Sequence, residues 1–313
     1  MADAWRPSAT LAALRRRADL VERTRAFFRA RGVLEVDTPV LQGGANLDAG
    51  VCPMRVEVDG GRFLPTSPEH PLKRLVASGS GPVWTLAPAF RAGERGSRHM
   101  PEFRMLEWYR PGWDDRQLAA EAIALIAELT TRGADHATLS YRDACRRHAG
   151  VDPLACADSD IFAALGADGD AARGDAHAAL DLLFATRVEP RLGRGGWTVI
   201  TDYPPWACAQ ARLRRDAHGD LVAARFEIYG DGLELANGYW ELDDAPDLRT
   251  RLEAEWHARP ERASLRLDER FLAAMAHGLG DCAGIAVGFD RVVMLALGIE
   301  DIARVQAFAW DRA

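Results

Sequence analysis

Pro101-Glu102-Phe103-Arg104-Met105-Leu106-Glu107-Trp108-Tyr109 is the run on which the fold turns. Successive side chains of a strand point to opposite faces, so Phe103, Met105, Glu107 and Tyr109 share one face and Arg104, Leu106, Trp108 and Arg110 the other. The first face combines an aromatic plate, a carboxylate and a phenol. Read alone, this is more readily a half-buried strand whose Glu107 pairs with one of many arginines. The loop before it shifts the balance, because Arg91, Arg95, Arg98 and His99 gather beside the same strand. A cationic loop against an aromatic and acidic strand can hold a nucleoside triphosphate.

Two further runs carry chemistry. Arg225 to Tyr229 and Leu233 to Glu241 flank Gly230-Asp231-Gly232, which places Glu227 and Glu234 on adjacent hairpin arms. Two such acids can share a hard cation such as magnesium, which completes its shell with phosphate oxygens and water. Taken singly, each acid is equally a solvated hairpin residue, but Asn237 and Glu241 add polar groups to an apolar, aromatic segment. Gly284-Ile285-Ala286-Val287-Gly288-Phe289-Asp290-Arg291 reads as a strand entering a helix, with glycines that let a ligand approach the backbone. Arg291 in a first helical turn opposes the helix dipole. It makes sense there against a phosphate, or paired with an acid such as Asp290.

Around these runs, Thr10 to Arg31 is predicted to be an amphipathic helix stopped by Gly32, followed by a short strand over Val33 to Val36. Arg55 to Val58 and Arg62 to Leu64 form a predicted hairpin. Ser67-Pro68-Glu69 starts a helix running to about Ser78, with Ser67 as cap and Pro68 in the first helical position. Val83 to Ala87 and Glu102 to Tyr109 suggest an antiparallel core. Residues 115–196 turn rich in Ala, Asp and Gly, with helices expected at Leu118 to Thr130, Tyr141 to His148 and Ala176 to Thr186, and read as an inserted helical lobe. The β-rich core resumes at Trp197 to Thr201.

Composition narrows the chemistry. The 48% hydrophobic and 27% charged residues are ordinary for a folded globular chain of 313 residues. Five scattered cysteines, never spaced Cys-x-x-Cys, argue against a disulfide framework or zinc site and read as buried free thiols. Lys73 is the only lysine and follows no glycine-rich loop, which all but removes Schiff-base and phosphate-loop mechanisms. A net charge of −7 gives no general attraction for nucleic acid. The best apolar stretch, Ile285 to Ile299, is short for a membrane helix and carries Asp290 and Arg291. With no secretory-type leader, the expectation is a cytoplasmic protein without membrane contact.

In this order the runs resemble the three motifs of the class II aminoacyl-tRNA synthetases. Arg31-Gly32 through Pro39 looks like motif 1, Phe90-Arg91 through Tyr109 like motif 2, and Gly284 to Arg291 like motif 3. Ser67-Pro68-Glu69, Pro101-Glu102-Phe103 and Glu234-Leu235-Ala236-Asn237-Gly238 are similar to the lysine subgroup. Glu107-Trp108-Tyr109-Arg110-Pro111, the terminal Asp311-Arg312-Ala313, and Ala286 in place of a usual glycine resemble lysyl-tRNA synthetase paralogues that modify elongation factor P. The motifs also begin too near the first residue for a preceding anticodon-binding domain.

The resemblance implies an α+β fold, a class II antiparallel sheet flanked by helices over residues 1–313, in a homodimer joined through motif 1. It implies ATP and Mg2+ as cofactors and adenylate formation on (R)-β-lysine or lysine. The acceptor would be elongation factor P rather than tRNA. Arg91 would hold the α-phosphate and substrate carboxylate, His99 and Arg291 the outer phosphates, and Phe103 the adenine, with Glu94, Leu235 and Gly288 completing the ATP site. Arg91, Glu234 and Arg291 would be catalytic, and Glu227 and Glu234 would hold magnesium. Ser67 and Glu69 would meet the backbone-side amine, Glu107, Tyr109 and Glu241 the distal ammonium, Asn237 the carboxylate, and Ala286 would shape the pocket. Arg91-Ala92-Gly93-Glu94 displaces the motif 2 acid by one residue, while Met100 and Arg104 replace a usual asparagine and threonine. A catalytically silent regulatory protein, or a ligase with a tRNA or small acceptor, are the competing readings.

Overall fold

The chain opens with α1, Leu11–Arg29, whose cap Thr10 accepts from the Ala13 amide; the computed structural model describes residues 5–48, 50–172 and 174–313. Next come β1 (Leu34–Glu35), the hairpin β2 (Met54–Val56) and β3 (Arg62–Leu64), and α2 (Glu69–Ala77). After β4 (Val83–Phe90) and β5 (Glu102–Pro111) follow α3 (Asp115–Thr130), β6 (His136–Ser140), α4 (Tyr141–Ala149), α5 (Asp158–Leu165) and α6 (Ala176–Leu183). The second half holds β7 (Trp197–Tyr203), β8 (Leu213–Arg215), β9 (Leu221–Gly230), β10 (Leu233–Trp240), α7 (Ala245–Ala258), α8 (Glu269–His277), β11 (Cys282–Gly288) and α9 (Phe289–Leu297).

Among the described residues nine strands form one sheet, ordered β1-β4-β5-β11-β10-β9-β7-β6 with β8 on the flank of β9. Pairing is antiparallel except at its two ends, where β1 runs parallel to β4 and β6 parallel to β7. The last strand, β11, therefore lies between β5 and β10 and joins the two halves of the chain. This is a mixed α+β architecture, a mostly antiparallel sheet flanked by helices, as the resemblance implied.

One face of the sheet is covered by α1, α3 and α9, with Phe28 stacked on Trp84 at 4.8 Å and Trp108 edge-on at 5.2 Å. Trp108 donates to Glu121 at 3.0 Å, and the Arg110 guanidinium closes on the same carboxylate. The far face packs against α2, α7 and α8 at one end and stays open in the middle. That opening holds the candidate site.

Three expectations change. The helix α3 is not part of an inserted lobe: Leu118, Ala122, Ile126 and Leu129 sit in the main core, and β6 extends the main sheet. Residues with a small apolar cluster of their own lie in α5, α6 and their flanks. The start of α2 falls one residue later than predicted, so Pro68 takes the cap position while Ser67 Oγ accepts the Glu69 amide at 3.1 Å. Cys145 and Cys282 are buried, but Cys52 is exposed, because it lies in a loop rather than in the sheet.

Candidate active site

Two connected cavities open on the free face of the sheet. The outer one has a volume of about 380 Å³ and the inner one about 60 Å³. Asp48, Arg91, Met105, Asn237, Tyr239 and Ala286 line both and form the junction. Every site residue implied by the resemblance borders one or the other, whereas Arg95 of the cationic loop is exposed outside the lining.

The inner chamber is a set of buried acids. From β5, Glu107 receives Ser67 Oγ at 2.6 Å and the Tyr109 hydroxyl at 2.9 Å, both uncharged donors. Burial, reinforced by repulsion from Glu69, pushes its carboxyl up to about 8. Helix α2 supplies Glu69 and, one turn on, Lys73, whose ammonium lies 2.6 Å from Glu69 Oε1 and 2.7 Å from Glu241 Oε2. Gln210 Nε2 donates to the other Glu69 oxygen at 2.9 Å. Lys73 thus bridges two carboxylates and leaves Glu107 without a cation. Gly284 keeps the chamber open, since a Cβ there would meet Tyr109 Cε1 at 2.2 Å and Glu241 Oε1 at 2.4 Å.

Positive groups edge the outer chamber. Arg91 lies 5.2 Å above the Phe103 ring and donates to the Thr66 carbonyl at 3.3 Å. Gly93 adopts φ +81°, a left-handed conformation suited to glycine, and the resulting turn leaves Glu94 on the cavity wall 3.7 Å from Arg91. The displaced acid therefore still faces the cavity. Arg291 donates to the Glu234 carbonyl at 2.8 Å and approaches His99 Nε2 at 2.6 Å. Burial and the neighbouring Arg291 hold the His99 imidazole below its usual range, so it accepts that contact as a neutral ring. Met100 is buried in the main core, whereas Arg104 lies on the opposite strand face and gives its amide to Asp290 at 2.8 Å.

A register shift between Glu234 and Ala236 sets the acidic pair. Glu234 and Asn237 are an odd number of residues apart and would face opposite ways in a regular strand. The bulge returns Glu234 to the face shared by Asn237 and Glu227. Glu227 is tied to Arg225 at 2.6 Å and receives the Tyr229 hydroxyl. Burial, then Glu227, pushes the Glu234 carboxyl upward, against the opposing pull of Arg291, whose guanidinium lies 3.5 Å from it. The two carboxylates are a pair: among the described residues no group of three or more His, Cys, Asp or Glu side chains gathers for a metal ion.

Several pocket residues escape a sequence reading. Asp48, Arg225 and Tyr239 on the lining, and Lys73 and Gln210 behind it, come from five separate segments and carry no motif of their own. Only Glu69-x-x-x-Lys73, a helical i,i+4 pair, offered a usable signal.

The chain matches the family model for class II tRNA synthetases of the D, K and N group over residues 1–312. It is 41% identical over 324 residues to the elongation factor P–(R)-β-lysine ligase of Klebsiella pneumoniae (strain 342), covering 99% of this chain and 98% of that protein. Proteins of the same name from Proteus mirabilis (strain HI4320) and Hamiltonella defensa are 40% and 39% identical over 326 and 327 residues, with the same two coverages.

Proposed function

Because this chain belongs to the class II tRNA synthetase family of the D, K and N group, and is an ATP-dependent amino-acid ligase within it, we propose that it activates (R)-β-lysine, or lysine, and transfers it to a lysine of elongation factor P. The observation that carries this reading is the pair of joined chambers. One carries Arg91, Arg98 and Arg291 among its acids and is sized for nucleotide groups; the other is small, buried and acidic, as an ammonium-bearing side chain requires.

In the first step the substrate carboxylate attacks the α-phosphorus of ATP and pyrophosphate leaves. In the second, a lysine amine of the acceptor protein attacks the acyl carbon, AMP leaves, and the amine loses its proton. Arg91 at the junction would neutralise the carboxylate and α-phosphate together, and Asn237 would orient the carboxylate. Phe103 would stack on adenine, with Glu94, Leu235 and Gly288 around it. His99 and Arg291 would receive the outer phosphates. Glu227 and Glu234 would hold magnesium, which supplies charge neutralisation on those phosphates. Glu107, Tyr109 and Glu241 would enclose the distal ammonium, and Ala286 would narrow the pocket by one methyl. Arg91, Glu234 and Arg291 are the groups we assign to catalysis.

The enzyme would act in the cytoplasm as a homodimer. Support for a dimer comes from Leu34, Val40 and Leu41, which are 54%, 37% and 46% exposed within and just after the motif 1 segment.

Amino-acid-dependent ATP–pyrophosphate exchange, followed by intact-mass analysis of elongation factor P and acid-gel analysis of tRNA, tests the proposal. We expect exchange with lysine or (R)-β-lysine and a mass gain on the protein alone. No exchange with either amino acid would leave a silent binding protein, and acylated tRNA beside unmodified protein would overturn the acceptor.

A further inference from the structure

A lysine-type substrate carries two ammonium groups, and the chamber must offer a free anion to each. Glu107 is the deeper one, held only by neutral donors. Glu69 is a poor second, because Lys73 lies 2.6 Å from one of its oxygens and Gln210 donates to the other at 2.9 Å. Glu241 shares the same lysine. The remaining carboxylate on the wall is Asp48, for which no hydrogen bond or ion pair of the side chain is found among the described residues.

Its position is the telling feature. Asp48 borders both chambers, beside Arg91 and Asn237, whereas Glu69, Glu107 and Tyr109 border only the inner one. A substrate carboxylate placed at Arg91 for attack on phosphorus sets its nearest amine one or two carbons away, at this junction. The loop carrying Asp48 is fixed from behind. Its carbonyl accepts from the Val51 amide at 3.1 Å and from Arg259, which also holds the Val51 carbonyl at 2.7 Å. Arg259 is itself buried. Burial, followed by repulsion from Glu69, pushes the Asp48 carboxyl upward, a cost that a bound cation would relieve.

Resting on the ligase reading above, we propose that Asp48 is a specificity-determining residue that receives the substrate ammonium nearest the carboxylate. It selects diamino acids over acids bearing only the distal amine. Glu69, on the wall of the inner chamber, fixes Lys73 and, through it, Glu241.

The test compares exchange kinetics for lysine, (R)-β-lysine and 6-aminohexanoate, which lacks the amine near the carboxylate. In the parent enzyme the better diamino acid should exceed 6-aminohexanoate in kcat/KM by at least a hundredfold. Asp48→Asn should shrink that ratio at least tenfold, mainly through KM for the diamino acid. An unchanged ratio, or equal loss for both substrates in a folded variant, overturns the role. Asp48→Glu keeps the charge and moves it by one methylene, so the preference between lysine and (R)-β-lysine should shift at least threefold. Should Asp48→Asn fail to fold, an unshifted preference in Asp48→Glu is the overturning result. A parent enzyme inert to every amino acid would sink the ligase reading instead.

Discussion

Glu107 is ionised with difficulty, and that makes it measurable. Its carboxyl sits near 8 in the folded chain, against an ordinary 4.5. Between those two values the unfolded chain has released the proton while the folded chain keeps it, so this group's contribution to stability falls as pH rises from about 4.5 to about 8. Glu107→Gln should therefore melt at a higher temperature than the parent at pH 8, with the gap closing toward pH 4.5, and should lose lysine-dependent exchange. Equal melting temperatures at pH 8 would refute the buried, unpaired carboxylate. At this scale the alternation of β5 was enough to group Phe103, Met105, Glu107 and Tyr109, because the two-residue period of a strand is visible in one sequence. Asp48 was not visible, since its neighbours Glu69, Arg91 and Tyr239 are brought to it by three different elements.

Strands β5, β10 and β11 lie so close at Gly284 that a side chain there must displace Tyr109 or Glu241. Gly284→Ala should cost about 1 to 3 kcal/mol in denaturant unfolding and raise KM for the amino acid at least tenfold. Gly133→Ala, whose Cβ would find nothing nearer than 3.9 Å, should leave both unchanged. If Gly284→Ala behaved like Gly133→Ala, the packing of the chamber floor would be wrong. The elements that hold the site were largely legible, because turn residues and strand alternation bound them locally. The bulge in β10 was not: an extra residue has no sequence signature until the partner register is known. Helix α3 was misassigned for a related reason. Its alanine-rich pattern resembles that of its neighbours in the outer cluster, and only burial of Leu118, Ala122 and Ile126 beneath the sheet separates them.

Taken as a whole, the molecule leaves β1 and β6 as the free ends of its sheet among the described residues. There the two-residue β1 pairs with β4 alone, and Leu34 on it is 54% exposed. Leu34→Arg should turn a dimer into a monomer in light scattering after size exclusion, with little loss of secondary structure; a parent already monomeric at micromolar concentration would contradict a dimer through this edge. Overall architecture was readable because motif order alone specifies it, whereas the extent of the sheet was not, since β6 is a short strand paired with β7 across the whole α4 to α6 stretch. The sole lysine has a consequence at the same scale. An acyl-adenylate that escapes its chamber labels primary amines indiscriminately. Here the one side-chain amine is 2% exposed and locked between two carboxylates, which push its pKa upward, and every other basic side chain but histidine is a guanidinium, a far weaker nucleophile toward acyl groups. The surface is thereby spared from its own reagent, and an acceptor's lysine meets no competing side-chain amine on the catalyst.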